Sequence, residues 1–267
     1  MYHDTIHALP TDDTARSAGG SEPGVRVLRR SLLWMPAWAA AALIINPGAL
    51  YASRGAPGSD THATSADGWA INWEAFARSA DADAKTLADG GSPQAYDAYL
   101  YALAMRAARL RLDSIPRAKL GAFGELDPKV SFGVGYKGAA FFVVEWSMEP
   151  HAYLPPHCHP NASVCTLGIA GEARVQHFET IDAPADFASR RTFRVRETRT
   201  DLISPGRVST LSPTRDNIHT FRAGAGGARG VDISAMHGRN IGFSFLEIDN
   251  TPVDAELRLY GARWTGA

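Results

Sequence analysis

Leu154-Pro155-Pro156-His157-Cys158-His159-Pro160 is the part of the chain richest in reactive side chains. In an extended strand alternate side chains share a face, so His157 and His159 point one way and Cys158 the other. Two imidazoles on one face reach a single ion at about 2.0–2.1 Å each. His-x-His alone is a weak signal. The two prolines that fix the entry strengthen it, as does Gly168-Ile169-Ala170-Gly171, which reads as a tight turn closing the next hairpin. A third ligand of the same kind is His219, within Asn217-Ile218-His219-Thr220-Phe221. The chemistry in view is a metal centre built from neutral nitrogen donors.

Other side chains near these segments are weaker candidates. Asp232 reads as a carboxylate that orients a ligand histidine or a substrate amine. Tyr153, at the strand entry, is a candidate donor to bound oxygen. His237 is expected near the pocket mouth, His151 reads as a turn residue, and His177 has no assigned place. Arg174 and Arg215 are possible clamps for a substrate carboxylate, and the spacing favours neither. Cys158 and Cys165 lie seven residues apart with opposite parity, so regular strands aim them to opposite faces. They read as buried thiols rather than as a disulfide.

The elements that must position these groups follow from pattern. Ile71–Leu87 and Pro93–Leu112 read as two helices: Trp73, Phe76 and Ala77 fall at helical spacing, as do Tyr96, Leu100, Leu103 and Ala107. Ser92-Pro93 supplies an N-cap and first-turn proline after a Gly90-Gly91 stop. Arg106, Arg109 and Arg111 read as a solvated face that complements the helix dipole. After Pro116 short apolar or alternating runs separated by Gly and Pro take over: 140–148, 163–169, 172–178, 192–196, 207–211, 218–221, 231–234, 241–248 and 257–264. Many short strands at close spacing predict an all-β sandwich or barrel. The expected class is mainly β, a jelly-roll barrel preceded by two helices.

Composition narrows the function classes. Twenty-seven Lys+Arg against 28 Asp+Glu leave a net charge of −1, with no polybasic footprint for nucleic acid. With 45% apolar and 21% charged residues the chain is globular rather than disordered. Two cysteines cannot build a disulfide framework or a four-sulfur zinc site.

The N-terminus reads as an address. Arg29-Arg30 precede a soft apolar run from Leu32 to Ile45, broken by Pro47-Gly48, with a small residue for cleavage at Ala52. This resembles a twin-arginine export signal. The run is shorter than the roughly 20 residues a membrane-spanning helix needs, so no stable membrane span is expected. The polar stretch ahead of the arginines is long for such a signal, which puts the expected start of translation downstream of Met1. The expected organisation is therefore a signal over 1–52, a flexible linker over 53–70, and a helical prelude plus one domain over 71–267. The chain would meet the export machinery transiently and act in the periplasm.

Around its histidines the chain resembles the cupins, and within them the thiol dioxygenases of the cysteamine dioxygenase and plant cysteine oxidase branch. His157, His159 and Gly171 hold the places of the first cupin motif, whose Glu place is Val164. Asn217-Ile218-His219-Thr220-Phe221 is similar to the branch's second motif, and Val231-Asp232-Ile233 and Gly238-Arg239 to its downstream elements. The family's Gly before Asn-Ile-His is Asp216 here, the loop after Asp232 is shorter, and a later Gly-Arg-His-Cys run is Gly238-Arg239-Asn240-Ile241. The resemblance implies His157, His159 and His219 as ligands to Fe(II), Fe(2+), and O2-dependent conversion of a thiol to a sulfinate. The thiol would be cysteamine, a cysteine-like molecule or a peptide's N-terminal Cys. With Val164 in place of Glu, no carboxylate offsets the ion's charge, which leaves room for an anionic thiolate and for dioxygen. The pocket would be filled from Phe221, Val164 and the barrel interior. Alternatives are another metal-dependent cupin enzyme (a Zn, Mn or Ni isomerase or hydrolase) and a non-catalytic cupin that binds a small ligand.

Overall fold

A computed structural model describes residues 70–122, 127–238 and 244–266. The expected signal, the expected linker as far as residue 69, and Arg239 to Ile241 lie outside the described residues. Among the described residues two α-helices come first, α1 (Trp73–Lys85) and α2 (Pro93–Ala107), then ten strands: β1 (Gly121–Ala122), β2 (Val130–Lys137), β3 (Phe141–Met148), β4 (Tyr153–Cys158), β5 (Ala162–Thr180), β6 (Phe193–Ile203), β7 (Val208–Leu211), β8 (Ile218–Met236), β9 (Ser244–Asp254) and β10 (Leu259–Gly266). The mainly β class with two leading helices is observed as expected.

The helices start where their sequences can satisfy the first free N–H groups. The Asn72 side chain accepts from Ala75 N at 3.0 Å, and Ser92 Oγ from Ala95 N at 3.2 Å. Trp73, Phe76, Ala77, Ala80 and Ala84 form the buried stripe of α1, and Tyr96, Leu100, Leu103 and Ala107 are buried on α2. α2 ends at Ala107, so Arg109 and Arg111 lie beyond it. Arg106 is not a solvated dipole partner: it donates to Ser79 and Asp83 and ties α2 to α1. α2 packs on β5 and β7, and α1 on β3.

Six strands close a ring in the order β4-β8-β5-β6-β10-β9 and back to β4. β1, β2 and β3 extend from β8 on one side, and β7 pairs with the first half of β5. β5 and β8 are each 19 residues long and pair along nearly their whole length, from Ala162↔Met236 to Phe178↔Ile218. The sequence pattern splits each of them in two at its glycines. The structure instead keeps one strand and kinks it, with register shifts between Gly168 and Ala170 and between Gly171 and Ala173. Gly171 is therefore a bulge residue, not a hairpin turn. Its φ is +63°, and an added Cβ would strike the carbonyl oxygen of Gly227 on the facing strand. Gly171→Ala is expected to cost about 2 kcal/mol or more, read as a lowered urea midpoint at unchanged m-value.

Two apolar clusters fill the molecule. The larger joins the helices to β2, β3, β5 and β8; the smaller gathers Cys158, Phe178, Phe193, Ile218, Leu246 and Trp264. Cys158 and Cys165 are free and buried, as expected. Burial raises both thiols, Cys158 to about 12, so neither is a thiolate at neutral pH.

Candidate metal centre

The prolines of β4 place its histidine. Neither has an N–H, and the β4–β8 ladder shifts register between Leu154 and His157. Beyond that break His157 pairs with His219 and with Phe245 of β9. His159 follows just past the strand end, where its N–H bonds Asn217 O at 3.0 Å and pins the exit of β4 to the entry of β8. The three imidazoles that the sequence singles out are brought together. Their ring centres lie 4.3 Å (His157–His219), 5.1 Å (His157–His159) and 5.3 Å (His159–His219) apart. One ligand atom of each falls within 4.8 Å of the others, and all three side chains are buried.

Orientation and charge suit a metal. His157 Nδ1 lies 2.7 Å from Pro155 O and donates to it, which leaves Nε2 for an ion. That Nε2 is 2.8 Å from His219 Nε2. Burial takes the His157 pKa down to about 4, and burial plus mutual repulsion holds His159 and His219 well below the usual imidazole value. The rings are neutral at physiological pH, the form in which imidazole ligates. Val164 is fully buried between Leu211 and Ser234, and among the described residues the cluster holds no carboxylate.

The remaining candidates separate. Phe221 is buried against His219 and Trp146, with ring centres 5.7 Å and 5.5 Å away. Asp232 lies beyond them. Its Oδ1 accepts from Trp146 Nε1 at 3.2 Å and Thr166 Oγ1 at 2.8 Å, so it does not orient a ligand histidine as expected. Its Oδ2, and the Oγ of Ser234 two residues on, have no hydrogen-bond partner among the described residues. Burial lifts the Asp232 carboxyl to about 8, against the pull of the Thr166 and Trp146 bonds.

Tyr153 is not brought to the histidines. Leu154 pairs with Phe221, so Tyr153 and its partner Arg222 take the opposite strand face, where Arg222 stacks on the Tyr153 ring at 4.8 Å. His237 anchors the helices instead of opening a pocket: Nδ1 is 3.0 Å from Leu87 O, Nε2 is 2.8 Å from Ser163 Oγ, and the ring stacks on Tyr96. His151 sits in a turn at φ +62°. Arg174 is exposed, and Arg215 pairs with Asp97 and Asp216.

The sequence does not reveal the groups that flank His219 on the other side. His177 of β5 pairs directly with His219, and Arg199 of β6 pairs with His177. Phe245, His157, His219, His177 and Arg199 thus form one in-register row across five strands. The bulge beside His177 sets the β6 register, which no spacing in the sequence encodes. Arg199 is mostly buried and its pKa is lowered to about 10 by burial, while Asp201 and Asp216 hold it charged.

No family model matches the chain, and no curated protein does. Solved structures do. KdgF from Halomonas sp. matches at 13% identity and TM-score 0.32, over 44% of this chain and 87% of that one. The cupin domain of Cnp3 from Schizosaccharomyces pombe matches at 14% and 0.32, over 46% and 72%. Pumpkin seed globulin matches at 14% and 0.35, over 49% of this chain, which spans only about a third (32%) of the globulin.

Proposed function

We propose that the protein is an Fe(II)-dependent dioxygenase that converts a small thiol, or a peptide's N-terminal cysteine, to a sulfinate. The observation that carries this reading is a buried set of three neutral histidines with no carboxylate among them. The donor set fits a divalent ion. Two donors about 2.1 Å from one ion stand roughly 3.0 Å apart at a right angle and about 3.4 Å at a tetrahedral angle. The 2.8 Å between the His157 and His219 nitrogens is short of both values, so a slight parting of the two rings admits one ion between them.

When bound, ferrous iron supplies the redox centre at which a thiolate and dioxygen react. Overall R–SH + O2 gives R–SO2H, with both oxygen atoms on sulfur and no further reductant. The chain's own residues do the rest. His157, His159 and His219 bring no negative charge, so the anion at the centre is the substrate's. Phe221 and Trp146 form an apolar wall that keeps water from a reactive site. Asp232 Oδ2 and Ser234 Oγ, both buried without partners among the described residues, are the groups proposed to receive the polar end of the thiol, an amine in particular.

The test is anaerobic reconstitution with Fe(II), followed by air and a panel of cysteamine, cysteine, a mercapto acid and an N-terminal-Cys peptide. The expected result is thiol-stimulated oxygen uptake and a product heavier by two oxygen atoms. Iron binding without thiol-dependent uptake rejects the dioxygenase, and activity with zinc or manganese alone favours another metal-dependent enzyme.

A further inference from the structure

A metal-binding histidine nearly always donates its second ring N–H to a neighbouring acceptor, which fixes the ring and raises its basicity. His157 does so through Pro155 O. His219 does not: its Nε2 faces His157, and its Nδ1 is buried with no hydrogen-bond partner among the described residues. The adjacent ring has the complementary need. His177 Nε2 lies 3.2 Å from Ser209 Oγ and 3.3 Å from Asp201 Oδ2. A carboxylate accepts only, so it holds the ring proton on Nε2 and leaves Nδ1 of His177 as a bare acceptor. That Nδ1 is likewise buried without a hydrogen-bond partner among the described residues.

The two residues are direct cross-strand partners, with ring centres 5.9 Å apart and planes at 80°. Two imidazoles joined by an N–H···N bond of about 3 Å stand roughly 5 Å apart centre to centre. A small shift of either ring closes the gap, and so does one buried water, for which the two nitrogens are the partners it needs.

We infer that His177 is a positioning residue for the metal centre: its Nδ1 accepts, directly or through one water, the Nδ1–H of His219. Asp201 stands behind it, held 3.3 Å from Arg199 Nε, and Arg199 is held in turn by Asp216 at 3.1 Å and Thr210 O at 2.9 Å. The inference rests on the three-histidine metal reading and adds to it the group that sets the third ligand.

The probe is cobalt(II), read by competition with a chromophoric chelator and by its visible spectrum. His177→Phe keeps a planar ring and removes the acceptor; it is expected to weaken cobalt binding by about 10–100-fold and to alter the spectrum. His177→Gln restores an acceptor and is expected to recover most of that affinity. Wild-type affinity and spectrum in His177→Phe overturn the inference. Should His177→Phe fail to fold, Asp201→Asn carries the same test at a partly exposed position. About tenfold weaker binding there supports the role, and unchanged binding overturns it. A wild-type protein that binds no cobalt, or a His219→Ala variant that binds it equally well, rejects the metal centre itself and the inference with it.

Discussion

His219→Ala is expected to lower metal affinity by more than about a hundredfold and to bring thiol-stimulated oxygen uptake to background. Loss of an outer hydrogen-bond partner alone costs about 10–100-fold, and removing a ligand from a set of three exceeds that. His219 is also the middle ring of its row, between His157 and His177, so its loss leaves His157 and His159 as a two-donor site. Metal competition with a chelator and oxygen-electrode traces measure the two effects. Cys158→Ala and Cys165→Ala are the informative controls. Cys158 sits in the smaller apolar cluster, and Cys165 is one strand position out of phase with Val164 and Thr166. Both variants are expected to bind metal like wild type. Wild-type affinity in His219→Ala, or its loss in the cysteine variants, contradicts this assignment.

Asp232→Asn is expected to stabilise the protein at alkaline pH. The carboxyl titrates at about 8 in the folded chain against 3.8 for an exposed aspartate. Between those values the folded state holds a proton that the unfolded state has released, so the group's contribution to stability is full below about pH 4 and declines as pH rises towards 8. Each pH unit of that window is worth about 1.4 kcal/mol. From pH 5 to pH 8 the wild type should therefore lose roughly 4 kcal/mol relative to Asp232→Asn, whose amide keeps a neutral, isosteric side chain. Parallel urea titrations of both proteins at several pH values give the difference and cancel the opposite trend of the buried histidines. Parallel stability profiles would show that Asp232 is not held protonated. The same variant, reconstituted with Fe(II), reports whether the carboxyl binds the thiol's amine. In that case KM for cysteamine should rise far more than KM for a mercapto acid.

The three histidines are legible because each lies in a segment whose local sequence fixes its direction. Pro155-Pro156 cannot continue a ladder, and the break they force aims His157 at His219. Asp216 has φ +56°, a conformation natural to glycine and tolerated by aspartate, and its carboxylate binds Arg199, Arg215 and Thr198. Tyr153 falls on the face opposite His157 because alternation along β4 holds only up to the bulge at the prolines. His177, Asp201 and Arg199 were hidden for a related reason. They join the site through the registers of β5 with β6 and β8, and a register is set by bulges and packing rather than by sequence distance. Gly168 and Gly171 look like turn residues in one dimension. In the fold they let a single strand bend through the molecule.

The long pairing of β5 with β8 also bears on how the protein comes to be folded. Its partners closest in sequence are Phe178 and Ile218, 40 residues apart, and its most distant are Ala162 and Met236, 74 apart. Closing the shorter loop costs less chain entropy, so pairing is expected to begin at the end that holds His177 and His219 and to run towards the helices. The arrival of β4 beside β8 closes a further loop between His157 and His219, 62 residues apart. With so many non-local partners the chain belongs among slow folders. Strand pairing alone brings His157, His219 and His177 side by side, so the barrel is expected to fold without an ion.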